Sequence, residues 1–392
     1  MTAEGIWLIF LFAFGSCIGS FLNVVIYRLP RGRSIVTPPS ACPSCDKHIR
    51  FYDNIPLLSW LLLRGKCRNC GVRISVRYFI IELLTAIMFV GVYLLFFKVG
   101  CRKLGIEPQG QYYPAWREFV GGGWLFYLAC MVMMAAFLAG SAIDMELWVI
   151  PLSLCWFVTG FCMVAAAAAY LAMDAGAVSS YEVFPVANSI TGAIAAGALV
   201  GLVLSLAGLA TGVLKRSYEY PEGWEAGGKD DEPEFNHRLE VFREIVFLLP
   251  ILLCAAGAAV LVRSVGPVEA WWIDLLQRPA VAGFLGGLYG YFVGCGVVWA
   301  TRILGTLAFG KEAMGLGDVH LMGAAGAFVG AMGVVLAFFV APFFGLAWAI
   351  FQMFFRKTRQ IPYGPFLSMA VFVVIVFHDW FRAWITGLYL YQ

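Results

Sequence analysis

The sequence predicts an all-α polytopic membrane protein of about ten transmembrane helices, carrying a small cytoplasmic zinc-knuckle domain. Three observations lead there. Apolar residues make up 61% of the chain and charged residues only 13%, about half the charge of an ordinary soluble domain. Apolar runs recur from residue 5 to residue 388, many reaching the ~20 residues that carry a helix across a bilayer. Two CxxC pairs, Cys42-Pro-Ser-Cys45 and Cys67-Arg-Asn-Cys70, stand in one of the few polar stretches.

Ten spans are expected, at roughly 5–27, 78–97, 122–143, 148–172, 187–211, 245–264, 280–304, 319–338, 340–355 and 362–388. Helices satisfy their own backbone in lipid, which separate apolar runs cannot otherwise do. The first run does not read as a cleavable signal peptide, because no Lys or Arg precedes it and it continues past any cleavage point. Segment 28–77 contains ten Lys and Arg against Asp46 and Asp53, so the positive-inside bias places it in the cytoplasm and the N-terminus outside. That choice puts Arg356, Lys357 and Arg359 inside and leaves the loop 173–185, without Lys or Arg, outside. The loop 98–121, with Lys98, Arg102, Lys103 and Arg117, runs against the bias. Small residues such as Gly192, Ala195, Ala196 and Gly197, or Gly283, Gly286, Gly287 and Gly290, suit close helix contact. A second polar insertion, 212–244, is acidic and contains Gly and Pro. It reads as a mobile cytoplasmic connector, with partner docking as the other reading.

Each CxxC can wrap two thiolates round one ion, and two such knuckles complete a tetrahedral zinc site. Cys42, Cys45, Cys67 and Cys70 are therefore the expected ligands, with Gly71 suiting the tight turn after the second pair. A cytoplasmic setting disfavours disulfides, and a redox role for one pair is the competing reading. Four thiolates leave no open position for catalysis, so the metal is expected to be structural. The other seven cysteines lie in or beside apolar spans and read as small apolar side chains.

Ionisable groups at membrane spans call for an explanation. Asp144, in Ser141-Ala-Ile-Asp-Met-Glu-Leu-Trp-Val-Ile-Pro151, ends the third span. Asp318, in Lys311-Glu-Ala-Met-Gly-Leu-Gly-Asp318, opens the eighth. Alternating sides puts both at the cytoplasmic face. Two carboxyls held close share one proton, so one can activate water while the other protonates a peptide carbonyl and then the leaving amine. Gly315 and Gly317 would let a substrate strand approach Asp318. The competing readings are an N-cap for Asp318 and an ordinary interfacial position for Asp144. Glu146 lies ~200° round the helix from Asp144, and His320 reads as structural rather than as a base.

The chain resembles the bacterial type IV prepilin peptidases, which are leader peptidases and N-methyltransferases. The resemblance rests on Gly19-Ser-Phe-Leu-Asn-Val-Val-Ile-Tyr-Arg-Leu-Pro30, both CxxC pairs, Asn54-Ile-Pro-Leu-Leu-Ser-Trp60, Arg64-Gly-Lys-Cys67, Ser75-Val-Arg-Tyr78 and Glu82-Leu-Leu-Thr85. It continues at Ile143-Asp144, Ile150-Pro151, Lys311 to Asp318 and Ile361-Pro-Tyr-Gly-Pro-Phe366. It implies a first span over 1–27, a zinc domain over 28–77 and a multi-span aspartic peptidase domain over 78–392, with an inserted span pair and loop at about 187–264. It implies Asp144 and Asp318 as the catalytic pair and a bacterial inner-membrane location, with the N-terminus periplasmic. The implied substrates are prepilins or type II secretion pseudopilins, cut after a glycine on the cytoplasmic side. Methylation of the new N-terminus by S-adenosylmethionine is implied too, with no local motif showing where that cofactor binds. Membrane lipid is the other expected partner, nucleic acid is not expected, and the oligomeric state is left open. Three departures stand out: Leu152 replaces the family's Asp or Asn after Ile-Pro, His320 replaces a lysine, and the family generally has eight spans. Rival readings are another GxGD intramembrane peptidase, a transporter, and a catalytically inactive paralogue serving as an assembly scaffold. The two CxxC pairs count against the first, and charges clustered at the faces count against the second.

Overall fold

The structure, a computed structural model, describes residues 3–42, 44–101, 118–172, 183–219, 235–355 and 362–390. It is built of helices: α1 (Ala3–Arg28), α2 (Leu58–Leu62), α3 (Val76–Tyr93), α4 (Trp124–Leu147), α5 (Leu152–Ala172), α6 (Ser189–Ala210), α7 (His237–Ser264), α8 (Gly266–Leu276), α9 (Pro279–Phe309), α10 (Leu316–Phe355), α11 (Gly364–Val376) and α12 (His378–Leu390). Among the described residues eight helices are long and apolar enough to cross a membrane, or nine if α11 and α12 form one broken span. The all-α polytopic architecture is as expected. Local chemistry sets the helix ends. Ser75 accepts the Arg77 N–H at the start of α3, Asn188 and Thr191 form a capping box on α6, and Gly310 closes α9 at φ 65°.

The span boundaries differ from expectation in three places. Residues 319–338 and 340–355 are one helical run, α10, interrupted at Gly330 (φ 76°, ψ 174°). Forty helical residues would measure about 60 Å, twice the hydrocarbon thickness, and glycine supplies the backbone turn that interrupts them. The expected span 362–388 is α11 followed by α12, bent by 75°. The expected span 245–264 begins eight residues earlier, at His237, so Glu240 and Glu244 belong to a helix rather than to the loop 212–244. Residues 220–234 of that loop lie outside the described residues, as do 102–117, 173–182 and 356–361. Helix α8 has no counterpart among the expected elements, and its buried Trp272 donates Nε1–H to Ser189 O at 2.9 Å.

The chain divides into two compact units, Met1–Phe161 with Leu171–Val183 and Phe339–Gln392, and Cys162–Tyr170 with Phe184–Phe338. In the first, α1 packs along α3 and α4, and α4 packs along α11. One end of this unit is closed by an aromatic group of Trp7, Tyr93, Phe97, Phe119 and Tyr127 and by Lys98 against Glu4 at 2.6 Å. At the other end Asn23 Nδ2 donates to Tyr78 O at 3.0 Å, and Arg77 pairs with Glu146. The polar segment 29–75 is joined to this end, so it shares that end with the last turn of α4, which contains Asp144.

In the second unit α6, α7 and α9 pack together, and α9 crosses the first half of α10 backbone to backbone. A methyl group on Gly326 would run into the carbonyl of Gly290, and one on Gly290 into that of Gly326. Gly326→Val should therefore force the helices apart at an overpacking cost of about 1–3 kcal/mol or more. The melting temperature of the detergent-solubilised protein is expected to fall, and an unchanged melting curve would contradict this crossing.

Candidate functional site

The four clustered cysteines meet as their spacing predicts. Their Sγ atoms all lie within 4.8 Å of one another, and Cys42 and Cys70 Sγ are 3.8 Å apart. A tetrahedral ion with Zn–S bonds of ~2.3 Å separates its sulfurs by about 3.8 Å, so the donor set fits zinc. The two knuckles repeat one hydrogen-bond pattern. Cys42 N–H donates to Lys47 O and Asp46 N–H to Cys42 O; Cys67 N–H donates to Val72 O and Gly71 N–H to Cys67 O. Gly71 takes the left-handed turn at φ 69°, and Asp46 does the same at φ 50°. The second position was not anticipated, since an aspartate gives a weaker signal for this conformation than a glycine. Backbone N–H groups of Cys70 and Asn69 pull the Cys67 thiol down to about 7. Cys70 receives a similar bond at Val72, yet burial and the neighbouring thiols push it up to about 11. Without a cation, one thiolate therefore opposes the next, and a dication removes that conflict. The remaining described cysteines are mixed: Cys130, Cys155, Cys162 and Cys295 are buried, whereas Cys17 is exposed.

Asp144 is buried, with 7% of its surface exposed. It lies in the last turn of α4, which ends when Trp148 turns left-handed (φ 58°) and donates its N–H to Asp144 O at 3.0 Å. A carboxylate there faces the negative end of its own helix dipole. Compensation comes from a helix distant in sequence. Gly364, the first residue of α11, donates its backbone N–H to Asp144 Oδ2 at 3.0 Å, so the carboxylate covers a positive helix end whose N–H groups lack helical partners. The contact admits no side chain, because a methyl group on Gly364 would lie 2.8 Å from Asp144 Oδ2 and 2.9 Å from Ile150 Cδ1. One turn along each helix, Ser141 Oγ donates to Ser368 Oγ at 3.1 Å and Ser368 Oγ to Gly364 O at 3.0 Å. The stretches Ile143-Asp144, Ile150-Pro151 and Pro362-Tyr-Gly-Pro-Phe366 thus form one contact. Glu146, the competing acid, points elsewhere, toward Arg77.

Asp318 belongs to the second unit and is half-buried. Helix α10 begins at Leu316, so Asp318 stands in its first turn and is not its N-cap. Its carboxylate reaches back over the helix start: a methyl group on Gly315 would sit 3.8 Å from Asp318 Oδ2. Gly317 is the second residue of the helix. His320 Nδ1 lies 3.1 Å from the Tyr291 hydroxyl on α9, which gives the ring a structural partner.

The segment before Asp318 is held by Arg302, which is 1% exposed. Its Nε donates to Glu244 Oε1 at 2.9 Å and its Nη1 to Glu312 Oε1 at 2.5 Å. Nη1 also donates to the Met314 carbonyl. Trp299 Nε1 donates to the other oxygen of Glu244 at 2.9 Å, and the guanidinium covers the Tyr218 ring at 5.2 Å. Glu244 comes from α7, in the segment that the resemblance marks as inserted. Through Glu244, α7 therefore supports the clamp on the residues that lead into Asp318.

Two outcomes follow from these contacts. Stripping the tetrad of metal with a chelator, or making Cys67→Ser, removes folding energy on the order of 10 kcal/mol from the 28–77 segment. That segment should then become protease-sensitive, and undiminished resistance would contradict the metal reading. Glu244→Ala should destabilise the second unit by about 3 kcal/mol, because it strips a buried guanidinium of a carboxylate. The check is thermal unfolding beside Glu244→Gln, which keeps one of the two acceptor oxygens and is expected to lose less.

Residues 13–96 match the bacterial peptidase A24 N-terminal domain. The chain is 42% identical over 168 residues to a prepilin leader peptidase/N-methyltransferase of Myxococcus xanthus (strain DK1622), covering 43% of this chain and 42% of the relative. It is 39% identical over 150 residues to a type 4 prepilin-like proteins leader peptide-processing enzyme of Escherichia coli, covering 34% and 46%. A prepilin leader peptidase/N-methyltransferase of Vibrio cholerae is 49% identical over 88 residues, covering 20% and 35%. The chain thus spans less than half the length of these relatives. No solved structure matches it. Over these stretches the chain is similar to the peptidase A24 N-terminal domain and to proteins named as prepilin leader peptidases/N-methyltransferases.

Proposed function

We propose that the chain is a membrane aspartic endopeptidase that removes the basic leader of type IV prepilins or type II secretion pseudopilins after a glycine, and then N-methylates the new N-terminus. Asp144 and Asp318 are its catalytic carboxylates. The observation that carries this reading is the buried Asp144 carboxylate, seated on the start of α11 within a contact built from three of the family-like motifs. The names carried by the relatives point the same way.

In the proposed reaction one carboxylate takes a proton from water as it attacks the carbonyl after the glycine. The other donates to that carbonyl and then to the departing amine. The Gly364 N–H fixes the direction of the Asp144 carboxylate. The Arg302 clamp fixes the segment entering Asp318, and Gly315 keeps the carboxylate open to an extended strand.

The cytoplasmic side is proposed for this chemistry, with the N-terminus periplasmic. Supporting it, the basic segment 28–77 shares an end of its unit with Asp144, joined by Arg77 and Glu146. Zinc is proposed as a structural ion that holds that segment together, and S-adenosylmethionine as the methyl donor. The partners are single-span prepilins and the surrounding lipid.

The test is cleavage of a prepilin by purified protein in liposomes without added metal, with mass analysis of both products. Wild type should cut after the glycine, while Asp144→Asn and Asp318→Asn each lose at least about a thousandfold in rate, ~4 kcal/mol in barrier. Cleavage surviving in both variants would remove the carboxylates from the mechanism.

A further inference from the structure

The described ends of the polar segment between α6 and α7 return to the helices at one place, around Tyr218. That residue is held at φ 52°, a backbone conformation that a non-glycine residue keeps only where its surroundings over-determine it. Its N–H donates to Glu240 Oε2 at 2.7 Å, and its hydroxyl lies 3.3 Å from His237 Nδ1. From the other end of the segment, Phe235 meets the Tyr218 ring edge-on with centroids 5.3 Å apart. Glu240 is itself buried, and its second oxygen accepts Arg243 Nη1 at 2.8 Å.

What these contacts present to the helices is a ring face. Arg302 Cζ lies over it at 5.2 Å, within the ~6 Å at which an aromatic face attracts a guanidinium. The bonds of Arg302 to Glu244, Glu312 and the Met314 carbonyl come from its planar fork of donors. Such bonds are directional in the plane and resist movement along its normal only weakly. The Tyr218 ring closes that direction. The carboxylate of Glu244 is steadied from α9 by Trp299, whose ring stacks on Phe247 of α7 at 5.7 Å. Glu312 has no such shelter, because its side chain is 44% exposed. Its neighbour Ala313 donates its N–H to Thr306 Oγ1 at 3.2 Å. Residues 312–314 therefore hang from α9 by two side chains, Thr306 and Arg302, and the second of these is covered by Tyr218.

We propose that Tyr218 is a positioning residue for Asp318: its ring face keeps the Arg302 guanidinium where it grips Glu312 and Met314, and so sets the turn that leads into the aspartate. The proposal rests on the peptidase reading, in which Asp318 is one of the two carboxylates. Tyr218 acts through Arg302 and not on the reacting atoms. The rate of the cut then depends on how firmly Glu240, His237 and Phe235 seat the ring, because a carboxylate slightly out of place loses much of its rate advantage. Substrate affinity does not depend on it, so the effect belongs in kcat and not in KM.

The test weakens the ring face without changing its shape. Tyr218→Phe is the reference, and phenylalanines with increasing ring fluorination at position 218 withdraw charge from the face step by step. Prepilin cleavage by the full chain in liposomes, melting temperature and hydrogen exchange of the backbone amides of 312–318 are recorded for each. Along the series kcat should fall to about a fifth of the Tyr218→Phe value, with KM and melting temperature unchanged and exchange across 312–318 rising in step. A ring that only fills space would leave kcat and exchange flat, and that result overturns the proposal. Tyr218→Leu, which removes the face outright, should lose at least as much, and a folded Tyr218→Leu protein with wild-type kcat overturns it too. The fluorinated series decides alone if Tyr218→Leu does not fold. A wild type that cuts no prepilin overturns the peptidase reading instead, and exchange then decides the contact: a stepwise rise across 312–318 supports the hold on this turn, and no change overturns it.

Discussion

Much of the first unit is organised by one hydrogen bond, from the backbone N–H of Gly364 to the carboxylate of Asp144. A carboxylate in the last turn of a transmembrane helix opposes that helix's dipole, and a helix start without partners for its N–H groups is equally unfavourable in lipid. Each defect answers the other, so α4 and α11 are joined at one depth. Ile150, Gly364, Ser141 and Ser368 then have to be small or shaped to fit. The same bond orients a carboxylate without neutralising it with a lysine or arginine, which proton transfer requires. Stability and proposed chemistry make the same demand on Gly364: no side chain.

The second unit solves a related problem with charge. Asp318 follows a glycine-bearing turn, and such a turn holds a single shape only if something external fixes it. Arg302 does so through Glu312 and the Met314 carbonyl, while Glu244 from α7 balances its charge. Buried ion pairs add little net stability, but they fix geometry, because loss of one partner leaves a costly charge behind. This gives α7 a role beside Asp318 that does not depend on contacting substrate.

Local chemistry was legible in the sequence; long-range chemistry was not. The four cysteines declare themselves by spacing, because each knuckle is closed by bonds within seven residues. Asp144 and Asp318 stand out because ionisable groups at apolar runs are expensive. Gly364 gave no comparable signal, since its partner lies 220 residues away and a glycine before a proline reads simply as a turn. Glu240 and Glu244 read as loop residues because hydropathy counts a glutamate as polar wherever it sits, and it is the facing Arg302 and Trp299 that make Glu244 at home in a helix. Gly330 was missed for the opposite reason. In a run rich in small residues, one more glycine is unremarkable, and nothing local shows which of them leaves helical geometry.

The most direct measurement is steady-state prepilin cleavage by Gly364→Ala, with zinc content and melting temperature as controls. Alanine is acceptable to the helix backbone, so the substitution acts through its methyl group alone, which would press 2.8 Å from Asp144 Oδ2. A displaced carboxylate loses a hydrogen bond to a charged group, about 1.5–3 kcal/mol, so kcat should fall roughly 10- to 100-fold with KM little changed. Wild-type kcat in a fully folded Gly364→Ala protein would contradict the claim that this helix start orients the Asp144 carboxylate for catalysis.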